Sequence, residues 1–309
     1  MDLKDDKRKL FVEIDTLNNW TSKKLDTKDK PVKKMENYIK GISTIEESSH
    51  KLYGYCLLNL SVDTNNKQSK NLMGTLRSKM SDLTKSNTIF QKWLYSINNL
   101  DNVIKNSDYL KEHEFYIKEN LRKGTYSLSE EEEVVISKLT NTGTGAWSEL
   151  RNTLVSNLMF DINIDNEEKK VPLSIVRKLA FDKEPIKREK AYKAEINAYK
   201  KIEDSVAAAL NVVKGQSLTV SQLRGYDSPL DATLINAKMD KSSLDAMFSA
   251  IKESLPIFHK YLRKKAQILR YKDGLPFYEL SSPIIDKKVH MEYTYNDAKE
   301  YIVIKKLIT

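Results

Sequence analysis

The chain has 309 residues, a net charge of +9, a hydrophobic fraction of 40% and a charged fraction of 31%. That length accommodates two or more domains with cores of their own. With only 9 Gly and 7 Pro, it is short of the turn residues an all-β protein needs, and the composition predicts a helix-rich fold with a strongly solvated surface.

The positive charge is interleaved with Glu and Asp and forms no basic block, which argues against nucleic-acid binding. The densest basic stretch, Lys260 to Lys272, alternates with Leu262, Ile268 and Leu269 and reads as the solvated face of a helix. A single cysteine, Cys56, excludes an internal disulfide; beside Leu57 and Leu60 it reads as a small buried hydrophobe. No apolar run is long enough to span a membrane, and Met1 leads into charged residues, so a soluble cytoplasmic protein is expected.

In chain order, Leu10, Ile14 and Leu17 form one amphipathic stripe. Met35, Tyr38, Ile39 and Ile42 form a second, continued by Tyr53, Cys56, Leu57 and Leu60. The polar stretch Thr21 to Lys34, with Pro31, reads as a loop between them. After a break at Ser61 to Lys67, one longer helix is expected to carry Leu72, Leu76, Met80, Leu83, Phe90, Trp93 and Ile97. Residues 100–127 predict another helix, stopped at Gly124. Ser129 and Glu132 have capping-box spacing, and the acid run through Glu133 suits a solvated first turn.

Thr142-Gly143-Thr144-Gly145-Ala146-Trp147 lacks the buried strand and third glycine of a dinucleotide fingerprint. It reads instead as a tight turn between helices, with Trp147 packed beneath it. Residues 158–173 are the one β-like piece: Leu158, Phe160, Ile162 and Ile164 alternate with Met159, Asp161 and Asn163, a turn follows, and Val171 lies beyond it. A small hairpin is expected there, then a short helix through Val176 and Leu179.

The next stretch organises the chain. Asp182 as N-cap and Pro185 in the first turn open a helix with Ala191, Tyr192, Ile196, Tyr199, Ile202, Val206, Ala209, Leu210 and Val213 at helical spacing. Lys214-Gly215 supplies a plausible stop, giving one helix about 45 Å long. Ser228 and Pro229 then start a further helix, and another begins near Asp240 with Pro256 inside it. A last element starts at Thr294 and Asp297 and carries Ala298, Tyr301, Ile302, Ile304 and Leu307.

Chemistry is hard to find. A hydrolytic zinc site normally takes three protein ligands, often two His at helical spacing, with a Glu as general base. The four His are His50, His113, His259 and His290, and no two are four apart. His113-Glu114-Phe115-Tyr116-Ile117 comes nearest, but Ile117 stands where a second ligand would. No G-x-S-x-G elbow is present, and Cys56 has no basic neighbour in sequence. Neither a catalytic residue nor a metal ligand is assigned.

Several stretches resemble the oligoendopeptidase F group of zinc-dependent oligopeptidases. They include Arg188-Glu189-Lys190-Ala191-Tyr192, Ala207-Ala208-Ala209-Leu210-Asn211, Arg224-Gly225-Tyr226-Asp227-Ser228-Pro229 and Gly274-Leu275-Pro276-Phe277-Tyr278-Glu279-Leu280. Upstream, Leu128-Ser129-Glu130-Glu131-Glu132 and the Thr142–Ser148 stretch are similar to that group's N-terminal region, while the H-E-x-x-H zinc helix is absent. The resemblance implies a mainly α fold, half of a multi-helix ellipsoid split by a channel, truncated before the zinc helix.

It also implies three regions: an N-terminal helical region at 1–110, an oligoendopeptidase F-like region with the hairpin at 111–181, and the beginning of the catalytic domain at 182–309. Arg224 and Tyr226 then become candidates for contacting peptide in the channel; alternatively Arg224 braces its turn and Tyr226 fills a gap. The expected ligands are short peptides. Zinc belongs to the full-length family, and a separate chain is one possible source of the zinc-binding half. No cofactor is expected in this chain, and no nucleic acid or membrane partner. A non-catalytic peptide-binding or scaffold role remains the alternative to a peptidase part.

Overall fold

A computed structural model describes residues 3–165, 167–284 and 294–306. The fold is mainly helical with one two-stranded hairpin. In order, the first elements are α1 (Leu3–Lys24), α2 (Pro31–Val62), α3 (Lys67–Met80), α4 (Leu83–Tyr95), α5 (Leu100–Lys105), α6 (Asp108–Glu112) and α7 (Glu114–Gly124). Then come α8 (Glu130–Thr140), a π-helical segment (Asn141–Gly145), α9 (Ala146–Asn157), β1 (Met159–Ile164), β2 (Glu167–Pro172) and α10 (Leu173–Leu179). The chain continues through α11 (Pro185–Tyr199), α12 (Glu203–Leu223), α13 (Pro229–Asn236), α14 (Lys241–Ile268), a 3-10 turn (Phe277–Glu279) and α15 (Tyr295–Lys306).

Packing divides these elements into two compact units, each made of two separate pieces of chain. Unit 1 is Met1–Met159 with Asn197–Lys252, and unit 2 is Phe160–Ile196 with Glu253–Thr309. The regions expected at 1–110, 111–181 and 182–309 are continuous in the chain, whereas these units follow contact.

The core of unit 1 lies among α1, α2, α4 and α7. Leu10, Ile14, Met35, Tyr38, Ile39, Leu52, Phe90, Leu94 and Ile117 are essentially inaccessible to water. Tyr38 stacks on Phe90 with ring centroids 3.7 Å apart, and its hydroxyl donates to Asn87 Oδ1 at 2.5 Å. Cys56 is buried, as its apolar setting suggests, and burial pushes its thiol pKa up. Leu57 does not share that face: it is 59% exposed, because one step along a helix turns a side chain by about 100°.

Several expected boundaries move. Pro31 starts α2 at N1 and does not lie within a loop, so the break after α1 shrinks to residues 25–30. The helix expected through Leu72 and Ile97 is interrupted at Ser81 and Asp82, and residues 100–124 form three short helices instead of one. The 45 Å helix is likewise two: α11 ends at Tyr199, Ile202 leaves helical geometry at φ −122° and ψ 4°, and α12 restarts at Glu203. Gly215 does not stop anything; it sits inside α12, where glycine costs about 1 kcal/mol relative to alanine. The stop is Gly225, at φ +74°. Gly225 N–H donates to the Gln222 carbonyl and Tyr226 N–H to that of Ser221, the paired bonds of a Schellman cap.

Other local signals appear as expected. Ser129 and Glu132 make a full capping box, Ser228 caps α13 with Pro229 at N1, and Thr294 and Asp297 cap α15. The hairpin forms at 159–172, with Phe160 and Ile162 buried on one face. Pro256 lies within α14. Leu307 and His290 lie outside the described residues.

Unit 2 has a polar centre. Arg188 on α11 and Glu279 in the 3-10 turn form an ion pair at 2.6 Å, with side chains 3% and 0% exposed. Arg188 Nη1 also donates to the carbonyls of Asp182 and Lys183, and Tyr271 OH donates to Glu279 Oε1 at 3.0 Å. Lys265, expected on a solvated face, is buried instead, and its ammonium donates to the carbonyls of Leu280 and Ser282. Desolvation lowers its pKa, partly offset by Glu279.

Removing one partner of such a pair strands the other charge, which costs about 3–5 kcal/mol. Arg188→Ala therefore destabilises unit 2 by about that much. Hydrogen exchange across residues 173–196 and 262–282 reads this as faster opening, while the amides of α1 and α2 keep their rates. A milder effect concerns pH. Burial, then the bond to Glu279, raises the Tyr271 phenol pKa to about 12. The unfolded phenol ionises near pH 10, so this stabilisation is complete below pH 10 and is lost as pH rises towards 12. Denaturant midpoints of Tyr271→Phe should fall less steeply over that window than those of the parent protein.

Candidate functional site

The two candidate residues flank Gly225 within the Schellman cap of α12, which turns the chain so that Arg224 and Tyr226 both face the first piece of unit 1. Arg224 Nη2 donates to Glu133 Oε2 at 2.6 Å. Glu133 is itself tied down, since its Oε1 accepts from Leu128 N–H at 3.1 Å. Tyr226 stacks on Tyr126, with centroids 4.2 Å apart and planes 17° from parallel. Both candidates are half-buried, so each keeps some surface in water while an intramolecular partner fixes its direction. Burial raises the Tyr226 phenol pKa, against the pull of Arg224, so the phenol is protonated at neutral pH and can donate a hydrogen bond.

Glu133 was not foreseen. Its run of acids reads as a solvated turn, yet Glu133 is only 7% exposed. The signal available was its phase: Glu133 stands three, four and seven positions before Ile136, Ser137 and Thr140, all on the half-buried side of α8.

The glycine pair after α8 makes the expected break between helices: Gly143 leaves helical geometry (φ −92°, ψ −107°) and kinks the chain between α8 and α9, and Trp147 beyond it is half-buried. Gln216 on α12 packs into this kink. Its Oε1 accepts from Thr144 N–H at 3.2 Å, and its Nε2 donates to Thr140 Oγ1 at 2.8 Å. A Cβ at position 143 would come within 2.7 Å of Gln216 Oε1, so the glycine admits the glutamine. The segment thus joins α12 to α8 and α9. Beside it, a groove of about 620 Å³ is lined by Leu60, Met73, Arg77, Ser148 and Asn152 among others.

None of this fits a zinc ion. Among the described residues there is no group of three or more His, Cys, Asp or Glu side chains placed to hold a metal. His113 stacks on Tyr109 and sets Nδ1 2.8 Å from the Tyr109 carbonyl oxygen, between α6 and α7. Ile117, where a second ligand would stand, is in the core with no exposure. His50 and His259 are exposed and lie far apart in sequence.

The class this defines is a helical scaffold, divided into two discontinuous units, with no metal-binding cluster among the described residues. Residues 96–160 match the family described as Oligopeptidase F, and residues 179–308 match Peptidase family M3. Oligopeptidase PepF of Bacillus subtilis (strain 168) is 23% identical over 207 residues, covering 66% of this chain and 30% of that protein. An oligoendopeptidase F homolog of Lactococcus lactis subsp. lactis is 32% identical over 120 residues, 38% of this chain and 20% of that one.

The crystal structure of oligoendopeptidase-F from Enterococcus faecium shares the fold at a TM-score of 0.78 and 19% identity, covering 93% of this chain and 56% of that chain. A putative oligoendopeptidase F from Bacillus anthracis superposes at 0.61 and 15% identity, covering 91% and 48%. The chain belongs to peptidase family M3, in its oligopeptidase F group, and spans about half the length of its solved relatives.

A bracing contact and a ligand contact respond differently to truncation. Removing the charged hydrogen bond by Arg224→Ala should destabilise unit 1 by about 1.5 kcal/mol, the low end for a partly exposed ionic contact. Chemical denaturation measures this, and Glu133→Gln should give a loss of the same sign.

Proposed function

We propose that this chain supplies the non-catalytic part of a zinc oligopeptidase and does not cleave peptides by itself. The observation that carries this reading is a contrast: the family matches cover residues 96–160 and 179–308, while the H-E-x-x-H pair of ligands is absent from the sequence. The relatives are named oligopeptidases, which supports short peptides as the ligand class. In this reading a separate polypeptide brings the metal, and Arg224 and Tyr226 present their exposed edges to bound peptide. The Arg224–Glu133 bond and the Tyr126 stack support that role by holding both side chains in place before a ligand arrives.

A cytoplasmic setting is part of the same proposal, supported by the single buried thiol. Among the described residues no helix is long and apolar enough to cross a membrane.

A quenched fluorescent peptide of about eight residues provides the test. The purified chain, with and without added zinc, is expected to give no hydrolysis above buffer and to retain well below one equivalent of metal after dialysis. Chelator-sensitive, metal-dependent cleavage by the purified chain would overturn the proposal.

A further inference from the structure

α12 and the turn that ends it meet the first piece of unit 1 at three specific points. Tyr226 lies against Tyr126, Arg224 against Glu133, and Gln216 against Thr140 and Thr144. As the numbers fall from 226 to 216 on one side they rise from 126 to 144 on the other, so α12 runs antiparallel to α8 and the kink beyond it. Gln216 and Arg224 are separated by about 12 Å of helix, and Thr140 and Glu133 by about 10.5 Å, at 1.5 Å per residue. The contacts are in step. A slip of one residue would shift Arg224 by about 1.5 Å and turn it by about 100°, away from Glu133.

Apolar packing does little to prevent that slip, because the residues α12 buries, Ala209 and Ser221, are small. Gln216 is better suited. Its amide has two unlike ends, and the partners sort them. Thr140 Oγ1 donates to the Ile136 carbonyl at 2.7 Å and accepts from Gln216 Nε2, while Thr144 N–H donates to Oε1. Between those partners lies Gly143, where a Cβ would stand 2.7 Å from Oε1. The missing side chain admits the amide, and the amide then fastens α12 both to the end of α8 and to the kink. All of these residues belong to unit 1 and face one another.

We propose that Gln216 sets the register of α12 against α8, and through it the placement of Arg224 and Tyr226. Gly143 is the other half of the device, since any side chain there would expel the amide. If Arg224 and Tyr226 contact peptide, Gln216 is a positioning residue for that contact without touching the ligand. Only this consequence rests on the proposed function; the register stands on the contacts within unit 1.

Two double-mutant cycles test it on the whole chain, with hydrogen exchange of the α8 amides as the readout. Residues about 12 Å apart that share no partner act independently, so their effects multiply. Arg224→Ala should speed exchange about tenfold in the parent protein, but less than threefold once Gln216→Ala has freed the register. Gln216→Met keeps the length, loses both bonds and should behave as Gln216→Ala does in this cycle. Gly143→Ala should speed exchange in the parent and by a smaller factor beside Gln216→Ala, which removes the clashing oxygen. A spectroscopic check reads the far end of the helix: the near-ultraviolet circular dichroism that Tyr226→Leu removes should also be lost in Gln216→Ala. Three results would each overturn the proposal: equal Arg224→Ala factors with and without Gln216, a Gly143→Ala effect that Gln216→Ala leaves unchanged, or persistence of the Tyr226 signal in Gln216→Ala. No peptide enters these measurements, so their failure is distinct from failure of the hydrolysis assay.

Discussion

An arginine bonded to a carboxylate across 91 residues of chain occurs twice in this protein, and each unit depends on one of them. Arg188 meets Glu279 in unit 2, and Arg224 meets Glu133 in unit 1, both at 2.6 Å. Each unit is assembled from two pieces of chain, and in each case the pair joins one piece to the other. The requirement is physical. A discontinuous unit has no short loop to hold its pieces in register, so contacts between distant residues must do it against the entropy of closing a long loop. A guanidinium fork suits that task because its donors have fixed directions, whereas apolar contact alone tolerates sliding.

The two pairs do this at different depths. In unit 2 the pair is dry, and a buried ion pair recovers its desolvation cost only when its remaining donors and acceptors are satisfied. The Asp182 and Lys183 carbonyls, the Tyr271 hydroxyl and the turn closed by Ser282 largely meet that condition, leaving Arg188 Nε as the unmet donor. A second cation, Lys265, shares the neighbourhood, and its lowered pKa reflects the same shortage of solvent. In unit 1 the pair is half-open to water and is helped by uncharged contacts: Gln216 of α12 against the kink between α8 and α9, and Tyr126 against Tyr226. The deep pair buys rigidity at a larger penalty if broken; the shallow one leaves its side chains partly in water.

Much of the fold was legible because its signals are local. The Ser129 capping box, the Ser228-Pro229 start and the alternation of Phe160 and Ile162 each depend on a few neighbouring residues, and each appears in place. What failed was punctuation. Ile196, Tyr199, Ile202 and Val206 keep helical spacing straight through the break between α11 and α12, because periodicity counts side chains and is blind to a φ/ψ change at Ile202. Gly215 looked like a stop, yet of the two glycines it is Gly225 that takes the left-handed geometry a stop requires. Of the site, Arg224 and Tyr226 were visible as a motif; their partners Glu133 and Tyr126 were not, since pairing across about a hundred residues leaves no local pattern.

That distinction bears on what family likeness means here. Arg188, Arg224 and Glu279 all lie in stretches that mark the chain as oligopeptidase F-like, and each has a complete structural role that involves no metal. Stretches of this kind report a way of joining chain segments. Hydrolysis makes a separate demand, met by two imidazoles one helical turn apart with a carboxylate between them. Neither arginine seam draws on an imidazole or a metal. Likeness in the seams therefore identifies the architecture, and activity has to be argued from the ligands alone.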